Sequence, residues 1–304
     1  MPGYWIVNNQ WPSDKEEDAP PLDDVLASEV REKVLLSFHP GAYADLSAHP
    51  SSTGAATPLA IINGVSPTSG VRRALLVEYR KSQPPRNGKP GISFPAALID
   101  AIAAYRYLVY DIGVPPQNIV LVGDSSGGNQ VLALARYIVE YGDKLSPPLP
   151  LPGHEIIHSS YVDLGHSDYS HPESSIFANR TTDYYTPEDI ATKRAWFLGP
   201  FGRDGPAGAR TNAYISPASE TPEVAQSVTF KGFPRTLNIV GGAEILRDQN
   251  RILNERMTRD LGEGGAGATY IEFPDAVHNF LAMAWHEPER SEAIKVIDEW
   301  LRSA

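Results

Sequence analysis

The chain of 304 residues contains no cysteine. That excludes a disulfide framework, a thiol nucleophile and a thiolate-held metal. It also lacks any apolar run near the roughly 20 residues needed to cross a bilayer, and its first 30 residues are polar and acidic, unlike a secretory leader. The expectation is a soluble, cytoplasmic protein with no membrane span. Basic residues are scarce, 26 against 37 acidic, and the net charge of −11 repels phosphate backbones and anionic lipid. Nucleic acid is therefore not an expected partner. No period of about 20 to 50 residues repeats, which argues against a solenoid or propeller.

Short apolar runs read as strands at Val34 to Phe38, Ala74 to Tyr79, Ile119 to Val122, Ile156 to Val162, Leu237 to Val240 and Tyr270 to Phe273. Between them, apolar residues at helical spacing mark Phe94 to Ile112, Asn129 to Tyr141, Arg247 to Leu261 and Glu289 to Arg302. Strands alternating with helices imply a mostly parallel sheet covered on both faces. The rhythm breaks from His166 to Pro234, a stretch rich in Pro, Gly and aromatics with one helical patch near Pro187 to Phe197. The expected organisation is a core of residues 30–165 and 235–304 with a cap inserted at 166–234. Residues 1–29 are assigned to the same cap, because Tyr4, Trp5, Ile6, Val7 and Trp11 are too apolar for a solvated tail. Asn179-Arg-Thr181 matches a glycosylation triplet, which carries meaning only in a secreted chain.

The run Ile119-Val-Leu-Val-Gly-Asp-Ser-Ser-Gly-Gly-Asn129 takes a buried strand through a G-x-S-x-G turn into a helix. That is the pattern of a nucleophile elbow with Ser125 at its tip. Gly123 and Gly127 fit because a strand reversing into a helix brings backbone against backbone, where a Cβ would clash. A serine hydroxyl needs a base to take its proton and a third group to orient that base. His278, in the loop after the last strand, is the best placed of eight histidines; His286, beside the final helix, is a surface candidate. For the acid, Glu244 and Asp248 compete within Gly241-Gly-Ala-Glu-Ile-Leu-Arg-Asp248. Glu244 comes first off the strand, whereas Asp248 lies one helical turn on and suits capping or pairing with an arginine. Asp275 is too near His278 in sequence to orient it. An acyl-transfer site also needs donors for the oxyanion, and the loop His39-Pro-Gly-Ala-Tyr43 offers the N–H groups of Gly41 and Ala42 beside that of Ser126.

Taken together, GDSSGG at 123–128, HPGA at 39–42, SSYVDL at 159–164, GAEILRD at 242–248 and DAVHNF at 275–280 resemble the hormone-sensitive-lipase-like branch of the α/β-hydrolases. The resemblance runs from about Val34 to the C-terminus. It implies an α/β-hydrolase fold with a cap, no cofactor and no metal, and a homodimer as one assembly such proteins adopt. By position it makes Ser125 the nucleophile, His278 the base, Glu244 the acid, and Gly41, Ala42 and Ser126 the oxyanion donors. The chain departs from the branch at Pro40, which removes one N–H, at Ala42, which adds a methyl, and at Glu244, where Asp is usual.

The expected activity is that of a serine carboxylesterase acting on short- to medium-chain or acetyl esters of a small molecule. An acyl transferase, a lyase or a ligand-binding protein on the same fold stays open. Tyr43, Trp196, Phe197, Phe201, Tyr214 and Phe280 fall in the oxyanion loop, the insertion and the histidine loop. They are candidates to line an apolar pocket, or alternatively to form core.

Overall fold

The computed structural model describes residues 2–8, 32–202 and 206–303. Seven strands form one sheet: β1 (Gly3–Val7), β2 (Lys33–Phe38), β3 (Val71–Val77), β4 (Ile119–Asp124), β5 (His154–His158), β6 (Arg235–Gly241) and β7 (Ala268–Phe273). Their spatial order is β1-β3-β2-β4-β5-β6-β7, with β1 antiparallel to β3 and every other pairing parallel. The central strands are apolar on both faces, as strands buried between helical layers must be.

Nine α-helices occur among the described residues: α1 (Ala56–Gly64), α2 (Ala96–Arg106), α3 (Ser126–Tyr141), α4 (Ser175–Ala178), α5 (Pro187–Leu198), α6 (Pro206–Arg210), α7 (Pro222–Ser227), α8 (Arg247–Leu261) and α9 (Glu289–Arg302). Successive strand residues alternate between two cores. Leu36, Phe38, Leu121 and Ile157 join Ala101, Leu132 and Leu253 from α2, α3 and α8. Leu35, Val120, Val122 and Ile156 join Ile61 and Ile62 from α1 and Ile297 and Leu301 from α9. The helix expected over Phe94 to Ile112 is α2 followed by one π-helical turn, Tyr107–Asp111. No helix among the described residues is long and apolar enough to cross a membrane.

Two expectations need correction. Tyr4 to Val7 do not join the insertion; they form the edge strand, in register from Gly3 opposite Val77 to Val7 opposite Arg73. Their apolar character serves both faces, since Tyr4 and Ile6 pack toward one core and Trp5 toward the other. Trp11 lies outside the described residues. The run Ile156 to Val162 is not one strand, because β5 stops at His158 and Ser159 turns with φ 46°. The remainder is held elsewhere: Tyr161 N–H donates to Ser125 O at 2.9 Å, and Val162 and Asp163 N–H donate to Gln249 Oε1 at 2.7 and 2.8 Å. Between β5 and β6 the described chain forms α4 to α7 and no strand.

Candidate active site

The central strand β4 delivers Ser125 to the carboxyl edge of the sheet, where ligands bind in open α/β folds. Ser125 is held at φ 54°, ψ −120°, outside the helix that begins one residue later. Such a conformation persists only where the surroundings enforce it. Here the turn is pressed from two sides. A Cβ on Gly123 would lie 2.2 Å from Gly127 O, and one on Gly127 would lie 2.0 Å from Phe38 O. Ser125 N–H donates to His158 O at 3.0 Å, which fixes the tip against β5.

The loop after β7 brings His278 Nε2 to 3.1 Å from Ser125 Oγ. The loop after β6 brings Glu244 Oε2 to 3.8 Å from His278 Nδ1. All three side chains are buried, Glu244 completely. Burial lowers the His278 pKa to about 3, which leaves Nε2 unprotonated at neutral pH, as a base requires. Burial also pushes the Glu244 carboxyl up, opposed by hydrogen bonds from the Ser159 hydroxyl and the Gly241 N–H that favour the carboxylate.

Asp248 is engaged elsewhere. Its Oδ2 accepts Ser175 N–H at 2.7 Å, at the start of α4, and its Oδ1 lies 2.8 Å from Arg247 Nε. Asp275 is exposed, and His286 is partly buried at the mouth of α9, with Nε2 accepting Val277 N–H at 3.3 Å and Nδ1 3.1 Å from Glu289.

Opposite the elbow, Gly41, Ala42 and Tyr43 all take positive φ, at 117°, 50° and 63°. A Cβ on Gly41 would meet Asp45 O at 2.4 Å, so glycine is required there. The N–H groups of Gly41, Ala42 and Ser126 donate to no acceptor among the described residues. The loop is braced by Tyr79, whose hydroxyl donates to His39 O at 2.7 Å and whose ring stacks on His39 at 4.1 Å. Tyr43 N–H donates to Ser126 Oγ at 3.2 Å, tying the loop to the first residue of α3.

Among the described residues, none of the six aromatic candidates makes a ring contact with His278. Phe280 is fully buried beneath the histidine loop, edge-on to His158 and packed on Phe273. Tyr43 and Phe197 stack on each other at 3.9 Å in the core, with the Tyr43 hydroxyl donating to Asn129 Oδ1. Phe201 lies edge-on to Phe94 near the surface, and Tyr214 donates to Glu140 Oε2 at the far end of α3. Trp196 lines a separate cavity of about 490 Å³ with Pro84, Pro85, Pro90 and Ile92. Tyr43, Phe197 and Phe280 are buried, whereas Trp196 and Tyr214 are half-buried and Phe201 is exposed. Two aromatics without a signal in the sequence do lie beside His278: the ring centroids of Tyr185 and Tyr184 lie 5.7 and 6.3 Å from that of His278. No cluster of three or more His, Asp or Glu able to hold a metal occurs among the described residues.

A serine on a strand-to-helix elbow, a histidine and a carboxylate from later loops, and a mostly parallel sheet between helical layers together define an α/β-hydrolase. The chain belongs to that family, in its hormone-sensitive-lipase-like branch: the family described as alpha/beta hydrolase fold matches residues 35–282. The chain is 28% identical to an acetyl-hydrolase of Streptomyces hygroscopicus over 90% of its own length and 76% of that protein. It is 29% identical to the esterase LipU of Mycobacterium tuberculosis, over 92% and 81% of the two chains. Among solved structures, an esterase from the bacterial hormone-sensitive lipase family superposes with a TM-score of 0.67 at 25% identity, covering 90% of this chain and 77% of that one.

Proposed function

We propose that the protein is a serine carboxylesterase hydrolysing short-chain esters of small molecules through an acyl-enzyme. The observation that carries this reading is the 3.1 Å contact between Ser125 Oγ and His278 Nε2 at the elbow. Ser125 Oγ attacks the ester carbonyl as His278 Nε2 takes its proton. The oxyanion settles against the N–H groups of Gly41, Ala42 and Ser126, and His278 then passes the proton to the departing alcohol. Water, activated by the same imidazole, releases the acid. Glu244 orients His278 and stabilises it once charged.

Residues 166–234 act as the cap over this site, a role supported by the nearness of Tyr184 and Tyr185 to His278 and by the ion pair between Lys193 of α5 and Asp45 of the oxyanion loop. Similarity to an acetyl-hydrolase supports short acyl groups. The net charge of −11 supports a protein without a nucleic-acid partner. A cytoplasmic location and a homodimer complete the proposal; fractionation and sedimentation test these.

The test is hydrolysis of p-nitrophenyl esters from acetate to laurate, with Ser125→Ala beside the wild type. Turnover that peaks at short chains and falls at least about 10³-fold in the variant supports the proposal. A variant as active as the wild type overturns it.

A further inference from the structure

One segment of the insertion grips the acid loop along its length. Asn179 Nδ2 donates to Gly242 O at 3.1 Å and to Glu244 O at 2.8 Å. Thr182 Oγ1 donates to Ala243 O at 2.9 Å. Asp183 Oδ2 accepts Ile245 N–H at 2.9 Å. The four consecutive residues 242–245 are thus all bound by residues 179–183.

Asp183 also reaches the base loop. Its Oδ1 accepts His278 N–H at 3.3 Å and the N–H of its own neighbour Tyr184 at 2.9 Å, and Tyr185 N–H is a fourth donor. The residue is 8% exposed, and it forms no ion pair among the described residues. Burying a carboxylate without a counter-ion is unfavourable unless hydrogen bonds replace its water. Here backbone N–H groups do so, and two of them belong to Ile245, the residue after Glu244, and to His278 itself.

We propose that Asp183 is a positioning residue that sets the separation of Glu244 from His278 through the backbone of the two loops, so that the triad is competent only while this segment is docked on the core. The inference rests on the esterase reading of the site. Its physical basis is distance: Glu244 and His278 stand 3.8 Å apart. A misplacement near 1 Å in such a constellation costs about 100-fold in rate.

A dependence on pH follows. Burial raises the Asp183 carboxyl to about 6. Once protonated, one of its oxygens becomes a donor and releases an N–H. The titratable groups facing it are Glu244 on the acid loop, His278 on the base loop, and Tyr184 and Tyr185 beside it in sequence. Lys193 and Asp45 lie beyond Tyr185.

The experiment compares wild type with Asp183→Asn on p-nitrophenyl butyrate between pH 5 and 9, recording kcat, KM and Tm. At pH 8 the variant is expected to lose about 10- to 100-fold in kcat with KM within about threefold. The wild-type kcat should fall as pH drops through about 6, and this limb should be missing from the variant. A variant with wild-type kcat and an unchanged acid limb overturns the inference. A wild-type kcat that stays flat from pH 7.5 to 5 overturns it without any variant, which covers an Asp183→Asn that fails to fold. Absence of ester turnover by the wild type would strike the esterase reading instead. The His278 imidazole NMR signals then decide the inference: a shift on titration through pH 6 that Asp183→Asn abolishes supports it, and identical titration of the two proteins overturns it.

Discussion

Glu244 and His278 face each other across 3.8 Å between Oε2 and Nδ1, in a site that buries both side chains. That is beyond hydrogen-bond length, and Nδ1 has no other partner. Catalytic contacts often tighten only once substrate is bound. Glu244→Gln keeps the size but loses the charge that stabilises the imidazolium, so kcat should fall about 10²- to 10⁴-fold. Glu244→Asp, one methylene shorter, widens the gap and should fall by a smaller factor. Asp248→Asn serves as the contrast: it disturbs the Ser175 and Arg247 contacts, so it should lose about 1 kcal/mol of stability and keep kcat within about threefold. A collapse of kcat in Asp248→Asn with a healthy Glu244→Gln would reverse the assignment of the acid.

Gly127→Ala should be severely destabilised. The added methyl would stand 2.0 Å from a backbone carbonyl that β2 holds rigidly, and a loss of about 3 kcal/mol or more follows from such overpacking. Gly113→Ala isolates the conformational contribution, because its φ is 79° but no atom lies within 4 Å; about 1 kcal/mol is expected. Urea midpoints of the two variants check the contrast, and equal midpoints would contradict it.

In the proposed mechanism the departing alcohol lies beside His278 to receive its proton, and Tyr185 stands 5.7 Å from that ring. Tyr185→Ala should therefore weaken aryl and other bulky leaving groups, raising their KM about three- to tenfold, while methyl and ethyl esters change little. A uniform change across leaving groups would show that Tyr185 is a structural prop alone.

Asp124 precedes Ser125, buried, with one oxygen accepting the Thr57 hydroxyl at 2.9 Å. Burial raises its pKa from 3.8 to about 7. A carboxyl that binds its proton more tightly when folded contributes stability that is full below about pH 4 and is lost as pH climbs through about 7. Replacing it by Asn removes this dependence. The Tm of Asp124→Asn relative to wild type should therefore improve between pH 5 and pH 9, and a difference that stays constant would refute the burial argument.

Much of this architecture was legible because it is written in local pattern. The elbow is a run of six adjacent residues flanked by a strand and a helix, and Gly123 and Gly127 announce the close approach that the backbone then makes. Glu244 and His278 could be read from their places after β6 and β7, since strand order fixes which loops share an edge. Tyr4 to Val7 misled because an edge strand half-buried on both faces has the same composition as a piece of cap. Phe280 stayed open between pocket and core because nearness to His278 in sequence says nothing about which side of the loop a ring takes. Asp183 had no local signature at all. Its meaning comes from Ile245 and His278, which lie 62 and 95 residues away.

Asn179 carries a consequence for how the protein can be made. Its side-chain nitrogen has two hydrogens, and both go to carbonyls of the acid loop. An oligosaccharide attached there would replace one of them and wedge a sugar between the loop and its support. Host cells that export the chain through a glycosylating pathway would read Asn179-Arg-Thr181 as an acceptor. Material from such a host should lose specific activity in proportion to sugar occupancy, whereas a bacterial host, or Asn179 left unmodified, preserves the grip on Glu244.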